Sequence, residues 1–362
     1  MDDERYMERC IQLASIGSGS VAPNPMVGSV LVYNNTIIGE GYHRQYGKAH
    51  AEVACIASVK AEHTHLISQS TLYVSLEPCA HWGKTPPCAD LIIEKKIPKV
   101  VIGCRDPFAE VNGKGIEKLN VSGTTVEVGI LEGSCKLLNR RFFTFHQEKR
   151  PYIILKWAET ADGKMAGPEG ASRLLITNGL TNRLVHKWRS EEAAILIGTN
   201  TALHDDPHLG TRLWPGKNPV RIVIDKNLRL PSSLQLFDGS IPTIIFNYHQ
   251  HSLPPEKVAL QDVTGVNYFQ LSEGRDGVHQ LVQGLHSLNI QSVLVEGGPR
   301  LLQSFIDVGM WDEARVICNE QLIISDGLPS PQLSSFQQIQ SQTFLSDSVK
   351  FYKLSGKSNI PA

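Results

Sequence analysis

His50, Glu52, Cys79 and Cys88 have the residue types and the order to do chemistry together. A catalytic zinc ion takes three protein ligands and keeps a fourth position for water. One imidazole and two thiolates suit zinc better than magnesium or calcium. Glu52 follows the histidine by two residues and offers a carboxylate that need not touch metal. It can take a proton from water and deliver it to a departing amine. Bound zinc lowers the pKa of water from about 15.7 towards ~7, which makes a nucleophile available at neutral pH.

The same order, a His-x-Glu followed by Pro-Cys and a second cysteine, is the signature of zinc-dependent base deaminases. Here eight residues, AHWGKTPP, separate the cysteines where that signature has two. The insert brings His81 and Lys84, suited to a ribose hydroxyl or a phosphate rather than to a bare base. The competing reading is a structural zinc site, which needs a fourth protein ligand; His81 and Cys104 are the candidates. Three unrelated core residues are the remaining alternative.

The elements around these residues follow from pattern. Residues 2–17 read as a helix, MVGSVLVYN and TIIGEGYH as two strands joined at Asn34-Asn35, and 51–62 as a helix. The strand TLYVSL leads directly into Cys79, and catalytic groups collect at such strand ends in open α/β sheets. Pro87 suits the first turn of a helix beginning near Cys88. A helix near ADLIIEKK, a strand KVVIGC, a strand GTTVEVGI and a helix LEGSCKLLNRRFFTF complete this α/β unit. Near residue 150 the pattern restarts with PYIILKWAETADGKMA, then AAILIG, VRIVID, TIIFN, SVLVEGG and ARVIC, with helical TNRLVHKWRSEEA and DGVHQLVQGLHSL between them. Two domains are expected, 1–147 and 148–362, the second a doubly wound sheet. The Gln- and Ser-rich stretch from 328 is left without an assigned structure.

Composition narrows the class. With 35 basic and 36 acidic side chains the net charge is -1, so no global field draws nucleic acid or an anionic membrane. No apolar run is long enough to span a bilayer. The acidic start MDDERYMERC is not that of a signal peptide, so a cytosolic protein is expected. Seven thinly spread cysteines read as core residues or metal ligands rather than a disulfide frame.

In the second half no GxGxxG follows a strand. Two glycine-bearing turns stand there instead: LIGTNTALHDDPHL, read as a strand entering a polar turn, and SVLVEGGPRLLQSF, a strand meeting Gly297-Gly298 before a helix. Glycines at such a turn let backbone N–H groups approach a phosphate.

The first half resembles the deaminase domain of bifunctional riboflavin biosynthesis proteins. The resemblance runs through APNPMVG (22–28), GEGYH (39–43), HAE (50–52), EPCAHWGKTPPC (77–88), GCRDP (103–107) and GKG (113–115). The second half resembles the reductase domain of the same family through ADGK (161–164), IGTNT (197–201), DDPHLGTR (205–212) and VEGGPRLLQSF (295–305). The resemblance implies a cytidine-deaminase-like domain followed by a dihydrofolate-reductase-like one. It further implies hydrolytic deamination of a diaminopyrimidinone carrying a ribosylamino 5′-phosphate, then NADPH reduction of the ribosyl chain to ribityl. It assigns one zinc per chain to His50, Cys79 and Cys88, proton transfer to Glu52, and substrate contacts to Asn24, His43, His81 and Lys84. NADPH contacts fall on Thr201, Asp205, Gly297, Gly298 and Pro299, and the sugar phosphate on Ser172, Arg189, Leu209, Arg212 and Glu296.

By themselves, Asn24 reads as a turn residue between prolines and His43 as a strand-end histidine facing solvent. Arg189 reads as a surface cation on a charged helix, and Arg212 as a loop cation. The second half also departs from the family: Leu175-Ile176-Thr177 where an aromatic is usual, Ser172 or Arg173 at the serine position, and Lys226-Asn227 where a serine commonly follows the aspartate. The expected partner is a small pyrimidine ribosyl phosphate, with no nucleic acid and no membrane. The family often forms homo-oligomers, and no segment identifies an interface. Rival readings are a deaminase with a non-catalytic second domain, a nucleic-acid base deaminase, and a zinc-stabilised binding module.

Overall fold

A computed structural model describes residues 2–82, 86–168, 170–172, 174–253, 263–274 and 276–356. The chain divides into two compact units, Met1–Glu148 and Lys149–Lys357. Among the described residues no helix is long and apolar enough to cross a membrane.

The first unit contains helix α1 (Asp2–Ser15), strands β1 (Gly28–Tyr33) and β2 (Thr36–Tyr42), α2 (Ala51–Ala57), β3 (Thr71–Leu76), α3 (Cys88–Glu94), β4 (Lys99–Cys104), α4 (Lys114–Val121), β5 (Thr125–Val128), α5 (Glu132–Leu138) and α6 (Arg140–Gln147). The sheet order is β2-β1-β3-β4-β5; β1 pairs antiparallel with β2 and β3, while β3, β4 and β5 run parallel. Asn34 and Asn35 both take positive φ, 45° and 62°, the backbone that a two-residue turn between twisted strands requires. Alternation along the strands supplies two cores. Val30, Tyr73 and Val101 pack with Met7, Leu13 and Phe143 on one face. Leu31, Leu72, Val74 and Ile102 pack with Cys55, Ile92 and Leu119 on the other. The parallel strands β3 and β4 are buried on both faces, as apolar runs without polar alternation demand.

Two expected helices differ. The helix at 51 ends at Ala57, where the Ser58 hydroxyl bonds back to the Cys55 carbonyl, and a 3₁₀ turn covers Ala61–Gln69. The single helix expected over 131–145 is two, broken at Asn139. That side chain brackets the Met26 backbone, accepting from its N–H at 2.8 Å and donating to its carbonyl at 2.8 Å.

The second unit contains β6 (Tyr152–Thr160), β7 (Lys164–Ala166), α7 (Gly179–Glu191), β8 (Ala194–Gly198), α8 (Thr199–Asp205), β9 (Val220–Ile224), β10 (Thr243–Asn247), β11 (Val266–Gln270), α9 (Gly277–Ser287), β12 (Ser292–Val295), α10 (Pro299–Asp307), β13 (Glu313–Asn319), β14 (Leu328–Pro329), β15 (Phe336–Phe344) and β16 (Asp347–Leu354). Its main sheet runs β11-β10-β9-β8-β12-β6-β13-β16-β15. The first seven strands in that order are parallel, and β16 and β15 join antiparallel. The Gln/Ser-rich tail is therefore a β-hairpin closing one edge, its exposed positions polar because β15 faces water. Chain order reverses between β8 and β12, and ligands bind outside the carboxyl ends of strands at such a reversal.

Candidate active sites

In the first unit three elements deliver three metal-binding side chains. His50 caps α2 with extended backbone (φ -72°, ψ 167°), Cys79 follows β3 by three residues, and Cys88 is the first residue of α3. Pro87 sits one residue outside that helix, at its cap. The His50 Nδ1 lies 3.6 Å from the Cys79 Sγ and 3.3 Å from the Cys88 Sγ, and all three donor atoms lie within 4.8 Å of one another. A tetrahedral zinc with ordinary Zn–S and Zn–N lengths separates such donors by roughly 3.6 Å, so the set fits the ion. Among the described residues the cluster has three members; neither His81 nor Cys104 joins it. Cys104 turns its thiol to the Ser75 carbonyl in the core. The structural-zinc reading thus lacks its fourth ligand among the described residues.

The Cys88 N–H donates to the Cys79 Sγ at 3.3 Å. The Cys79 thiol is pushed down to about 4, first by a hydrogen bond from Cys88, against burial, and then by His50. One of the two sulfurs is thereby held as a thiolate, the form that ligates metal. Glu52, one residue into α2 and 3% exposed, lies against the Cys88 thiol, and burial raises its pKa.

Beside this cluster, His43 is 2% exposed rather than facing solvent. Its Nδ1 meets the Ala49 carbonyl at 3.0 Å, and its Nε2 accepts from the Asn24 amide at 3.1 Å. The paired bonds fix one tautomer and orient Asn24. The His43 and His50 rings stand edge to face at 5.4 Å. His81 leaves a buried Nδ1 without a protein partner among the described residues, as a site shaped for a ligand would. Lys84 lies outside the described residues.

The sequence reading missed Glu77. Its carboxylate, 4% exposed, accepts from the backbone N–H groups of Asp106 (3.3 Å), Gly113 (3.0 Å), Gly115 (3.0 Å) and Ile116 (3.3 Å). One side chain thus ties GCRDP and GKG to the start of the cysteine motif. Gly115 is required: a Cβ there would stand 2.0 Å from the Pro78 carbonyl oxygen. Asp106, brought beside Cys79, is pushed up to about 7 by burial. Glu77→Ala strands four donors, and we expect a loss on the order of 3 kcal/mol in the first unit, read from denaturant unfolding. An unchanged midpoint would show that water replaces the carboxylate without cost.

In the second unit the carboxyl ends of β6, β8, β9 and β12 open into a cleft of about 1570 Å³. Thr201, Asp205, Gly297, Gly298, Pro299, Ser172, Arg189, Leu209 and Glu296 all line it. Arg212 is exposed and does not line it; Arg173 lies outside the described residues. The expected polar turn at 199–205 is helix α8, which turns Thr201 toward the glycine turn. A Cβ on Gly298 would lie 3.3 Å from the Thr201 Oγ1, and one on Gly297 would lie 2.6 Å from Leu301. Gly298 caps α10, whose first residue is Pro299. The opening N–H groups of a helix and a turn with no side chain in the way suit a dinucleotide phosphate, so the cleft fits the cofactor.

At the floor, Arg189 is only partly exposed, its side chain 13% accessible, rather than a surface cation. Its Nε and Nη2 donate to the Glu296 carboxylate at 2.9 and 2.8 Å, and its Nη1 to the Gly210 carbonyl at 3.3 Å. Lys156, which the sequence reading also missed, places its Nζ 3.6 Å from the same carboxylate. Burial alone would raise Glu296; Arg189 and then Lys156 pull it down to about 2. Lys156 sits mid-strand in an apolar run, YIILKWA, and a lone cation there was the available signal. Leu175 lines the cleft and is 79% exposed.

Comparison with known proteins places both halves. Residues 1–104 match the cytidine and deoxycytidylate deaminase zinc-binding region, and residues 151–343 match the RibD C-terminal domain. The riboflavin biosynthesis protein RibD of Aquifex aeolicus is 40% identical over 330 residues, covering 90% of this chain and 89% of its own length. That of Escherichia coli is 34% identical, covering 90% of each. A crystal structure from Thermotoga maritima, described as a diaminohydroxyphosphoribosylaminopyrimidine deaminase/5-amino-6-(5-phosphoribosylamino)uracil reductase, superposes with a TM-score of 0.85 at 35% identity, covering 98% of this chain and 99% of that one. Acinetobacter baumannii RibD superposes equally, at 29% identity and a TM-score of 0.85, covering 97% and 98%.

Proposed function

The chain belongs to the RibD family of riboflavin biosynthesis proteins, and from that premise we propose the two reactions its residues carry out. The first unit is a zinc-dependent deaminase that hydrolyses the 2-amino group from 2,5-diamino-6-ribosylamino-4(3H)-pyrimidinone 5′-phosphate. The second is an NADPH-dependent reductase that converts the ribosyl side chain of the product to ribityl. The observation that carries this reading is the trio of soft donors within 4.8 Å of one another, with the Glu52 carboxyl against one of them.

Zinc, when bound, supplies the Lewis acidity that makes water a nucleophile at neutral pH. His50, Cys79 and Cys88 would hold it. Glu52 accepts the proton from the attacking water and passes it to the departing amine, so that the water oxygen stays on the ring as the carbonyl and the amine leaves as ammonia. Asn24, its amide oriented by His43, reads the base edge, and His81 faces the ribose phosphate, with Lys84 as a further cation for it.

NADPH, when bound, supplies the hydride for the open-chain sugar carbon. The glycine turn Gly297–Pro299, with Thr201 and Asp205 on α8, would hold its phosphates and ribose. Arg189 and Glu296, joined by Lys156, present a buried charged floor to the sugar phosphate, with Leu209 and Ser172 at its sides. Arg212, exposed beyond the cleft lining, is left as a cation that meets the phosphate at the rim. The ion triad and the glycine turn, both intact, favour a working reductase over a degenerate one. A cytosolic setting suits seven cysteines that form no disulfide.

Mass analysis of the product tests the whole reading. Without NADPH we expect the substrate to gain one unit of mass as an amine becomes a carbonyl oxygen; with NADPH, two further hydrogens. Close to one zinc per chain should accompany activity, and chelation should abolish the first step while leaving reduction of the deaminated intermediate. An active protein free of zinc would refute the site.

A further inference from the structure

The loop 206–212 joins α8 to β9 and carries two of the residues read above as meeting the sugar phosphate. Leu209 lines the cleft, and Arg212 is exposed beyond the lining. The backbone of this loop is not one that its residues adopt freely. Asp206 and Leu209 both take positive φ, 35° and 59°, a region uncommon for residues with a Cβ and kept only where surrounding contacts enforce it. Leu209 buries its side chain with Ile195, Val223 and Leu236. Burial, and then the charges of Arg189 and Arg212, hold His186 below its usual pKa. Arg212 is thus within electrostatic reach of the turn of α7 that carries Arg189.

A wholly buried cation holds the loop in place. Arg221, the second residue of β9, is 0% exposed within the apolar run VRIVI. Its Nε donates to the His208 carbonyl at 2.9 Å, while its Nη1 donates to the Gln235 carbonyl at 3.0 Å and to the Asp238 carboxylate at 2.9 Å. One planar group thereby ties the loop to segment 235–238. Two further anchors act at the loop's ends. Asp206 accepts from the Gln235 N–H at 2.8 Å, and the Asn218 Oδ1 accepts from the Thr211 N–H at 2.9 Å and from its hydroxyl at 3.0 Å. Stability alone does not call for an arginine here. Desolvating a charge is costly, and an apolar side chain of similar volume in its place is often neutral or better. The Arg221 Nη2 even lacks a hydrogen-bond partner among the described residues. What the guanidinium supplies, and an apolar residue cannot, is a rigid fork that donates to carbonyls of two separate segments.

We propose that Arg221, assisted by Asn218, is a positioning residue of the reductase: it fixes the loop that presents Leu209 and Arg212, and so sets the preference for a phosphorylated sugar over an unphosphorylated one. Neither residue lines the cleft, so both act through the loop and not on the substrate. The inference rests on the reductase reading above.

The test compares reduction of the deaminated intermediate with reduction of its dephosphorylated form, by the full chain at saturating NADPH. Wild type should prefer the phosphorylated compound. Arg221→Lys keeps the charge and loses the fork. It should raise KM for the phosphorylated compound about ten- to a hundredfold, the scale of a binding group misplaced by about 1 Å, with kcat within about threefold. On the dephosphorylated compound its kcat/KM should stay within about twofold of wild type, and deamination should not change. A residue that merely stabilised the unit would depress both compounds alike. Equal losses on the two, or no loss on either, would overturn the proposal and leave the reductase reading in place, as would a wild type indifferent to the phosphate. Should Arg221→Lys fail to fold, seen as lost NADPH binding, Asn218→Ala decides. At an exposed position it releases Thr211 and should lower the same preference by a smaller factor; an unchanged preference would overturn the proposal. If wild type reduced neither compound, the reductase reading would fall and this inference with it.

Discussion

Glu52→Gln should bind zinc as wild type does and lose deamination by on the order of 10²–10⁴. The substitution keeps shape and volume at a position 3% exposed, so the cap of α2 and the His50 donor stay where they are. What it removes is the ability to hold and release a proton. Burial already raises the pKa of this carboxyl, which suits a group that must carry a proton between water and amine within one cycle. The measurement pairs zinc content with the rate of ammonia release. Near-normal turnover at full zinc would take proton transfer away from Glu52. Loss of zinc along with activity would instead make Glu52 a support of the metal site.

Glu296→Ala should abolish reduction and destabilise the second unit by about 3–5 kcal/mol, the usual cost of leaving a buried ion pair with one partner. Two cations depend on this carboxylate: Arg189, bonded through two nitrogens, and Lys156 at 3.6 Å. The expected pH dependence has a definite sign. With its folded-state pKa depressed to about 2 against roughly 4.3 in the unfolded chain, Glu296 contributes stability that is fully present above about 4.3. That contribution is lost as pH falls from there towards 2, and its size is about 3 kcal/mol. Wild type should therefore show an acid-sensitive transition for the second unit that Glu296→Ala lacks. Deamination should persist in the variant. If both activities vanish together, the variant has misfolded globally. If unit stability stays at the wild-type value, the triad is not the internal support that its geometry describes.

Much of the first site was legible because its signals are local. Cys79 and Cys88 lie within one motif, His50 and Glu52 within another, and soft donors in that order have few other uses. Asn24 and His43 were legible only through resemblance. Their bond spans nineteen positions, and nothing near either residue reveals that His43 is buried. Helix ends failed where a side chain found a distant backbone partner. Asn139 breaks its helix to bracket Met26, 113 residues away, and no propensity along 131–145 encodes that.

In the second unit the strands were visible as apolar runs, because a strand buried on both faces needs continuous hydrophobicity. Their order in the sheet was not visible. That order brings Lys156 from β6 to Glu296 after β12. The exposed edge strand β15 was hidden by polar composition, since a strand open to water on an edge has no apolar face to advertise it.

The amino-acid sequence by itself determined the chemistry on offer: three soft donors, a carboxyl two residues from one of them, the glycine turn, and the local elements that carry them. Only the tertiary structure decided which groups meet, as with Glu77 binding four N–H groups 29 to 39 residues further along the chain. The reason is physical. Residue type and short-range spacing set what a group can bond, whereas pairing across a sheet is set by packing summed over the whole unit, and no single segment contains that sum.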